Sequence, residues 1–465
     1  MGIRGARTDA CLSWLGLGNL NNGGNAGLWY VNANNALANA NWNIGSRLSG
    51  WHLSALPPRL PRTRQSVTGL ARSTQRNGLK TTGLVTARRR LGRQPETRGA
   101  SVEVKSYCKG LEIDRALVQS AYDLWLTKSS GRKNGWRVAK EYGGAGALVD
   151  EIVWEITMRT LTLEPIRRYE RVEPTNGKRR TIGVESVKQQ ICDYVAVLAL
   201  QPLLDAKAGF YQTASVEGKG QRLCRGTLRR WSREGGYHVK ADVRKCYPSI
   251  SHDVVMRVLR KYVRSADVLY LCETLLATYD KGGLEIGSFF SLKMAQLVLS
   301  FAYHFIEGLH KERRGKRVPL VRHQMWHMDD LILLGPDKRN LKAAMRALAR
   351  YLRKEFGLEL KPWKVAKTSE TEPLDMGGFV VRETRTTLRP SLFVRARRAF
   401  RRFSKHPTIS LARRCCSYWG WLLHSDSDGF IQRDGIHRLL RKACGIVATY
   451  DRRARTCGTR ETAPA

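Results

Sequence analysis

Two consecutive aspartates, Asp329 and Asp330, stand between the apolar runs Gln324-Met325-Trp326-His327-Met328 and Leu331-Ile332-Leu333-Leu334-Gly335. The runs read as two short strands, which places both acids at the tip of a buried hairpin. Two carboxylates about 4 Å apart repel by roughly 4 kcal/mol at an effective dielectric of 20. A chain that folds this way needs a cation at the tip, and a divalent metal ion is the leading candidate. The formal net charge of +41 adds a polyanionic partner, so the chemistry expected is metal-assisted chemistry on nucleic acid.

The basic charge is not confined to a tail. Residues 1–106 hold fifteen Lys/Arg against three Asp/Glu, which leaves +29 of the +41 on the rest of the chain. A length of 465 residues allows about two to four domains, and 42% hydrophobic residues support a real core. The ten cysteines show no CxxC or CxxH spacing, which argues against a zinc site and for reduced thiols in a cytosol. No stretch of about 20 apolar residues stands out: the longest run, near residues 194–204, is broken by Gln201 and Pro202. The N-terminus lacks a secretory apolar segment, so a cytoplasmic location and no membrane are expected.

The first hundred residues differ from the rest. Ten of the fourteen asparagines fall between Asn19 and Asn43, and a Pro/Arg/Thr/Gly-rich stretch with no hydrophobic period follows to Gly99. Asparagine suits neither helix nor strand interiors, so residues 1–100 are expected to be largely disordered. From Val102 the pattern becomes that of an α+β protein. Helices are expected at 111–128, 148–161, 187–204, 251–262, 265–279, 292–310 and 341–356. Strand-like segments are 165–183, turning at Pro174-Thr175-Asn176-Gly177, then 237–243 and 376–382. The end is helical and basic: Phe393, Ala396, Phe400 and Phe403 form an apolar stripe that leaves Arg395, Arg398, Arg401 and Arg402 for solvent or phosphate.

Asp242 closes an alternating strand, with Tyr237, Val239 and Ala241 on one face and His238, Lys240 and Asp242 on the other. Alone it reads as a turn or cap residue. With Asp329 and Asp330 it makes a set of carboxylates suited to two Mg2+ ions, which need hard oxygen ligands from few carboxylates plus substrate phosphates. Such a pair of ions, about 3.5–4 Å apart, activates a 3′-hydroxyl and stabilises a leaving pyrophosphate.

The order of these elements resembles the palm of reverse transcriptases: Asp-x-x-x-x-Tyr at Asp242–Tyr247, Gly-x-x-x-Ser at Gly287–Ser291, then Met-Asp-Asp at Met328–Asp330. Asn176-Gly177-Lys178-Arg179-Arg180-Thr181-Ile182 and Ser215-Val216-Glu217-Gly218-Lys219-Gly220 resemble the fingers blocks. Leu360-Lys361-Pro362-Trp363-Lys364 and Leu374-Asp375-Met376-Gly377-Gly378-Phe379 resemble the last palm motif and the primer grip. The resemblance implies a right-hand polymerase with a leader over residues 1–100, N-terminal helices and fingers over 101–235, a palm of antiparallel sheet and helices over 236–385, and a short helical thumb over 386–465. It implies that Asp242, Asp329 and Asp330 hold two Mg2+ ions, for which Mn2+ can substitute, with the Val243 carbonyl as a further contact. Tyr247 would be the gate that excludes a ribose 2′-hydroxyl. Lys178 and Arg180 would bind the incoming triphosphate, Ile286 and Gly287 would line the nucleotide site, and Ser291, His327, Lys364, Gly377 and Gly378 would lie along template and primer.

Two departures narrow the resemblance. Reverse transcriptases commonly carry Tyr where this chain has His327, and Gln where it has Ile286. An apolar residue before Gly-x-x-x-Ser resembles the enzymes of diversity-generating retroelements, which copy a template-repeat RNA into cDNA with errors at adenines. Residues 417–424, Ser-Tyr-Trp-Gly-Trp-Leu-Leu-His, also look like their thumb. Asparagine codons begin with two adenines, so the Asn-rich leader resembles a translated template repeat; a lectin-like display segment is the rival, although roughly fifty residues are too few to build that fold. The family implies a structured template RNA, a cDNA or primer strand, dNTPs and a small, basic, oligomeric accessory variability protein as partners, in a bacterial, archaeal or phage-encoded cytoplasmic system. The alternatives are a group II intron or retron-type reverse transcriptase, and a non-catalytic RNA-binding module with a polymerase-like palm.

Overall fold

The computed structural model describes residues 105–460 apart from 173–176, 178, 217 and 218, with side chains as far as 452. The leader, Lys178, the Pro174–Asn176 turn and the Glu217-Gly218 pair lie outside the described residues.

Three helices come first: α1 (Arg115–Thr127), α2 (Ser129–Tyr142) and α3 (Ala145–Thr157). The hairpin β1 (Arg167–Val172) and β2 (Arg179–Val184) leads to α4 (Val187–Ala199), α5 (Gln201–Lys207) and α6 (Gln221–Ser232). Then come β3 (Tyr237–Asp242), α7 (Cys246–Ser249), α8 (His252–Tyr262), α9 (Ala266–Ala277) and α10 (Phe289–Glu307). After the hairpin β4 (His310–Arg313) and β5 (Lys316–Pro319) follow β6 (His323–His327), β7 (Asp330–Gly335), α11 (Lys338–Phe356) and β8 (Val365–Lys367). The chain continues through β9 (Leu374–Met376), β10 (Phe379–Val381), β11 (Thr386–Leu388), α12 (Pro390–Lys405), α13 (Ile409–Leu423), α14 (Asp428–Arg433) and α15 (Ile436–Arg460). Ser and Asp side chains at Asp114, Ser186, Ser251, Ser265, Ser288 and Asp337 accept first-turn N–H groups and start six of the longer helices.

The central sheet runs β6-β7-β3-β8, antiparallel throughout. Successive strand residues point to opposite faces, and here both faces are covered. Trp326, Leu331, Leu333, Val239 and Ala241 pack into one core with α10 and α11. Met325, Ile332 and Leu334 pack into a second core with α6, the β9-β10-β11 sheet and helices α12, α13 and α15. That double cover explains why β7 reads Leu-Ile-Leu-Leu without alternation.

The helix at 187–204 is two helices. Pro202 has no N–H to donate to a continuing helix, and the chain re-starts at Gln201. The strand at 376–382 is a hairpin, because Gly377 (φ 56°) and Gly378 (φ 87°) turn the chain between β9 and β10. Helix α2 has no apolar stripe to announce it: it buries only Gly131 and Val138, and a Cβ on Gly131 would come within 2.2 Å of the Trp125 carbonyl oxygen. Among the described residues one helix, α10, is long and apolar enough to cross a membrane by length and composition alone. It is 72% buried inside the protein, as a core helix is.

The expected stripe on α12 is present: Ala396, Phe400 and Phe403 are buried, Phe393 half-buried, and Arg398, Arg401 and Arg402 exposed. Phe400→Ala should cost about 3–5 kcal/mol of stability. Urea unfolding followed by circular dichroism checks this; an unchanged midpoint would mean the stripe is not packed.

Candidate active site

The β3–β7 register sets Asp242 directly opposite Asp330, on the sheet face shared by Ile332 and Leu334. Strands β6 and β7 are joined by Met328 and Asp329, with Met328 in the left-handed region at φ 56°. The Asp329 carbonyl accepts the Val243 N–H at 3.2 Å, and the Asp242 carbonyl accepts the Lys361 N–H at 2.8 Å. The backbone thus carries three carboxylates to one end of the sheet and pins them there, although like charges directly opposite on neighbouring strands are destabilising.

The electrostatics show that cost. Burial first, then Asp330 and Asp242, push the Asp329 carboxyl up to about 6. Burial also raises Asp330, against the pull of Lys240. The chain supplies one counter-charge itself: Lys361 Nζ lies 2.5 Å from Asp242 Oδ1. The donors are all hard oxygens, which suits Mg2+ or Mn2+. Among the described residues no group of three His, Cys, Asp or Glu side chains stands ready as a metal cage. The fold therefore gathers the three aspartates at one end of the sheet with Lys361 among them, and an ion there would compete with that lysine for Asp242.

His327 sits opposite Asp330 at the end of β6. Its Nδ1 is 3.2 Å from Thr213 Oγ1, and Thr213 donates its N–H to the Trp326 carbonyl at 2.9 Å. Burial, with Arg389 adding to it, pushes the imidazole down to about 4. The ring is therefore neutral near pH 7 and adds no charge beside the aspartates.

A second group of residues is held by backbone bonds. The Tyr247 carbonyl accepts the Leu284 N–H at 3.0 Å, and the Ile286 carbonyl accepts the Gly183 N–H of β2 at 2.8 Å. Gly287, at φ 128°, has no room for a side chain: a Cβ would come within 2.4 Å of the Gly183 carbonyl oxygen. The close approach that requires glycine is thus made by β2. Tyr247, Ile286, Gly287 and β2, which carries the half-buried Arg180, form one neighbourhood. Ser291 lies in the interior, fully buried, where its Oγ accepts the Glu285 N–H at 3.1 Å.

Lys364, Gly377 and Gly378, also named from the sequence, follow α11 in the chain. Gly377 and Gly378 form the β9–β10 turn, and a Cβ on Gly378 would come within 2.5 Å of the Trp421 ring. Lys364 is exposed and pairs with Glu372 at 3.1 Å. Three residues earlier, Lys361 is the lysine that reaches Asp242. Sequence reasoning missed this role, along with those of Thr213 and of Arg389, which pairs with Asp375 at 2.5 Å. Lys240 was legible, since it alternates onto the face of Asp242.

The arrangement defines an α+β protein with an acidic edge on an otherwise basic chain. No protein-family model matches it. The chain is 22% identical over 154 residues to a "Putative COX1/OXI3 intron 1 protein" of Saccharomyces cerevisiae, a match that covers 31% of this chain and 18% of that protein. This is a faint and partial link to an intron-encoded protein.

A carboxyl whose pKa is raised by folding binds its proton more tightly in the folded chain. Protonated Asp329 contributes stability below about pH 3.9, the unfolded value, and that contribution is lost as pH rises through about 6. In metal-free buffer, Asp329→Asn should raise the melting temperature at pH 8, with the gain vanishing near pH 4. Melting curves across that range check this; a gain independent of pH would remove the repulsion from the account.

Proposed function

We propose that the chain is an RNA-directed DNA polymerase of the type that serves diversity-generating retroelements. The observation that carries the reading is the meeting of Asp242, Asp329 and Asp330 at one end of an antiparallel sheet, in the order found in reverse transcriptases. In this reading residues 101–235 contain the fingers, 236–385 the palm and 386–465 the thumb. The partial match to an intron-encoded protein supports a polymerase of the intron kind as a second reading.

Asp242, Asp329 and Asp330, with the Val243 carbonyl, would hold Mg2+ or Mn2+, which when bound supplies Lewis-acid activation of the primer 3′-hydroxyl and of the leaving pyrophosphate. The residues of the chain do the rest. The Tyr247 ring bars a ribose 2′-hydroxyl. Arg180 binds triphosphate oxygens in a forked contact, with Lys178 beside it in the chain. Ile286 offers no amide to hydrogen-bond the pairing nucleotide, so selection at that point rests on shape. The exposed Arg398, Arg401 and Arg402 of α12 suit a phosphate backbone. The partners proposed are a structured template RNA, a primer or cDNA strand, dNTPs and a small basic accessory protein, in the cytoplasm of a bacterium, an archaeon or a phage-infected host.

Primer extension with Mg2+ on an RNA template tests the reading. Wild-type protein should extend, and Asp329→Ala should abolish synthesis; undiminished synthesis by the variant would overturn the site. Sequencing of the cDNA separates the two polymerase readings. Errors concentrated opposite template adenine, and reduced in Ile286→Gln, fit the retroelement type. An even, sparse error spectrum fits the intron type. Arg180→Ala should raise the dNTP concentration needed for half-maximal rate by about tenfold, the scale of a lost charge-assisted hydrogen bond; an unchanged requirement takes Arg180 out of the site.

A further inference from the structure

We infer that Asp193, on α4, is a positioning residue for the nucleotide pocket, holding the Ile286-Gly287 turn in place through Ser288 and the first turn of α10. The inference rests on the polymerase reading for its effect on catalysis and on geometry alone for its effect on the turn.

Asp193 is fully buried. A buried carboxylate is costly unless hydrogen-bonded. Its Oδ2 accepts the Ser288 hydroxyl at 2.7 Å and the Phe290 N–H at 2.9 Å. Both donors lie at the N-terminus of α10, where unpaired N–H groups and the helix dipole favour a negative charge. Ser288 spends its single proton on Asp193, which fixes its hydroxyl as an acceptor. It accepts the Ser291 N–H at 3.0 Å and lies 2.9 Å from the Tyr279 hydroxyl. Ser291 Oγ in turn accepts the Glu285 N–H. Asp193 is therefore the terminal acceptor of a chain of bonds that runs back to the start of the turn.

The other side of the turn is tied to the β1–β2 hairpin. Arg168 of β1 pairs with Glu285 at 2.7 Å, and Gly183 of β2 donates to the Ile286 carbonyl. Glu185, at the end of β2, is buried against Asp193; burial and that neighbour hold its carboxyl well above the ordinary range. Two like acids sharing a dry site favour one charge between them, and the bonds from α10 settle that charge on Asp193. Ile286 and Gly287 thus stand between two anchors. Removing the α10 anchor frees the turn to shift, and the apolar side chain that replaces an amide in base selection shifts with it.

The test compares Asp193→Ala, Asp193→Asn and Ser288→Ala with wild type. Hydrogen–deuterium exchange of the amides in 284–291 is the first readout, and it needs no activity. Asp193→Ala and Ser288→Ala should lose protection there while β3, β6 and β7 keep theirs. Asp193→Asn retains an acceptor oxygen and should stay close to wild type. Single-nucleotide extension is the second readout: the two alanine variants should raise the dNTP KM about tenfold, change the misincorporation spectrum, and leave kcat at saturating dNTP and primer–template affinity near wild type. Unchanged protection of 284–291 overturns the inference. So does a variant with a lower melting temperature but a wild-type KM and error spectrum, which would make Asp193 a packing residue only. If Asp193→Ala does not fold, Ser288→Ala decides on the same two readouts. A wild-type protein that extends no primer removes the polymerase reading, and the exchange result then stands alone on whether Asp193 holds the turn.

Discussion

The antiparallel pairing of β3 with β7 is the interaction on which the candidate site depends. It aligns Asp242 with Asp330, and the tight join to β6 adds Asp329 to the same end. Nothing local favours three acids so close together. They are kept there by the apolar residues of the same strands, which fill cores on both faces of the sheet. Burying a Leu or Ile side chain is worth roughly 1.5–3 kcal/mol. Val239, Ala241, Leu331, Ile332, Leu333 and Leu334 together outweigh the repulsion expected of the carboxylates.

The second neighbourhood is joined by backbone bonds as well as by charge. The turn at Ile286-Gly287, the carbonyl of Tyr247 and Gly183 near the end of β2 meet through peptide N–H groups and carbonyls. The side chains of Asp193, Ser288 and Arg168 brace that backbone frame from either side. The bond from Gly183 goes to the Ile286 carbonyl, so it does not depend on which side chain stands there. The frame does not tolerate a Cβ at Gly287.

Much of this was legible in the sequence. Asp329 and Asp330 declared themselves because charge between apolar strands is rare and needs a reason, and Asp242, alone a turn or cap residue, gained meaning only beside them. The α12 stripe declared itself by its period. What could not be read was long-range. Lys361 and Lys364 stand three residues apart in one short segment, and only the pairing of that segment with the end of β3 decides that Lys361 meets Asp242 while Lys364 meets Glu372. Ser291, expected along template and primer, is fully buried and accepts the Glu285 N–H. Helix α2 escaped notice because a glycine, not an apolar stripe, seats it against α1. His327 gained an account only when Thr213, more than a hundred residues away, was found beside its ring.

The lysine at Asp242 has one more consequence. A protein whose acidic edge waits for an ion would be unfinished on leaving the ribosome, its central sheet strained until the ion arrives. Here the chain brings its own counter-ion, the ammonium group of Lys361. The sheet can therefore assemble with part of its acidic charge already balanced from within the chain.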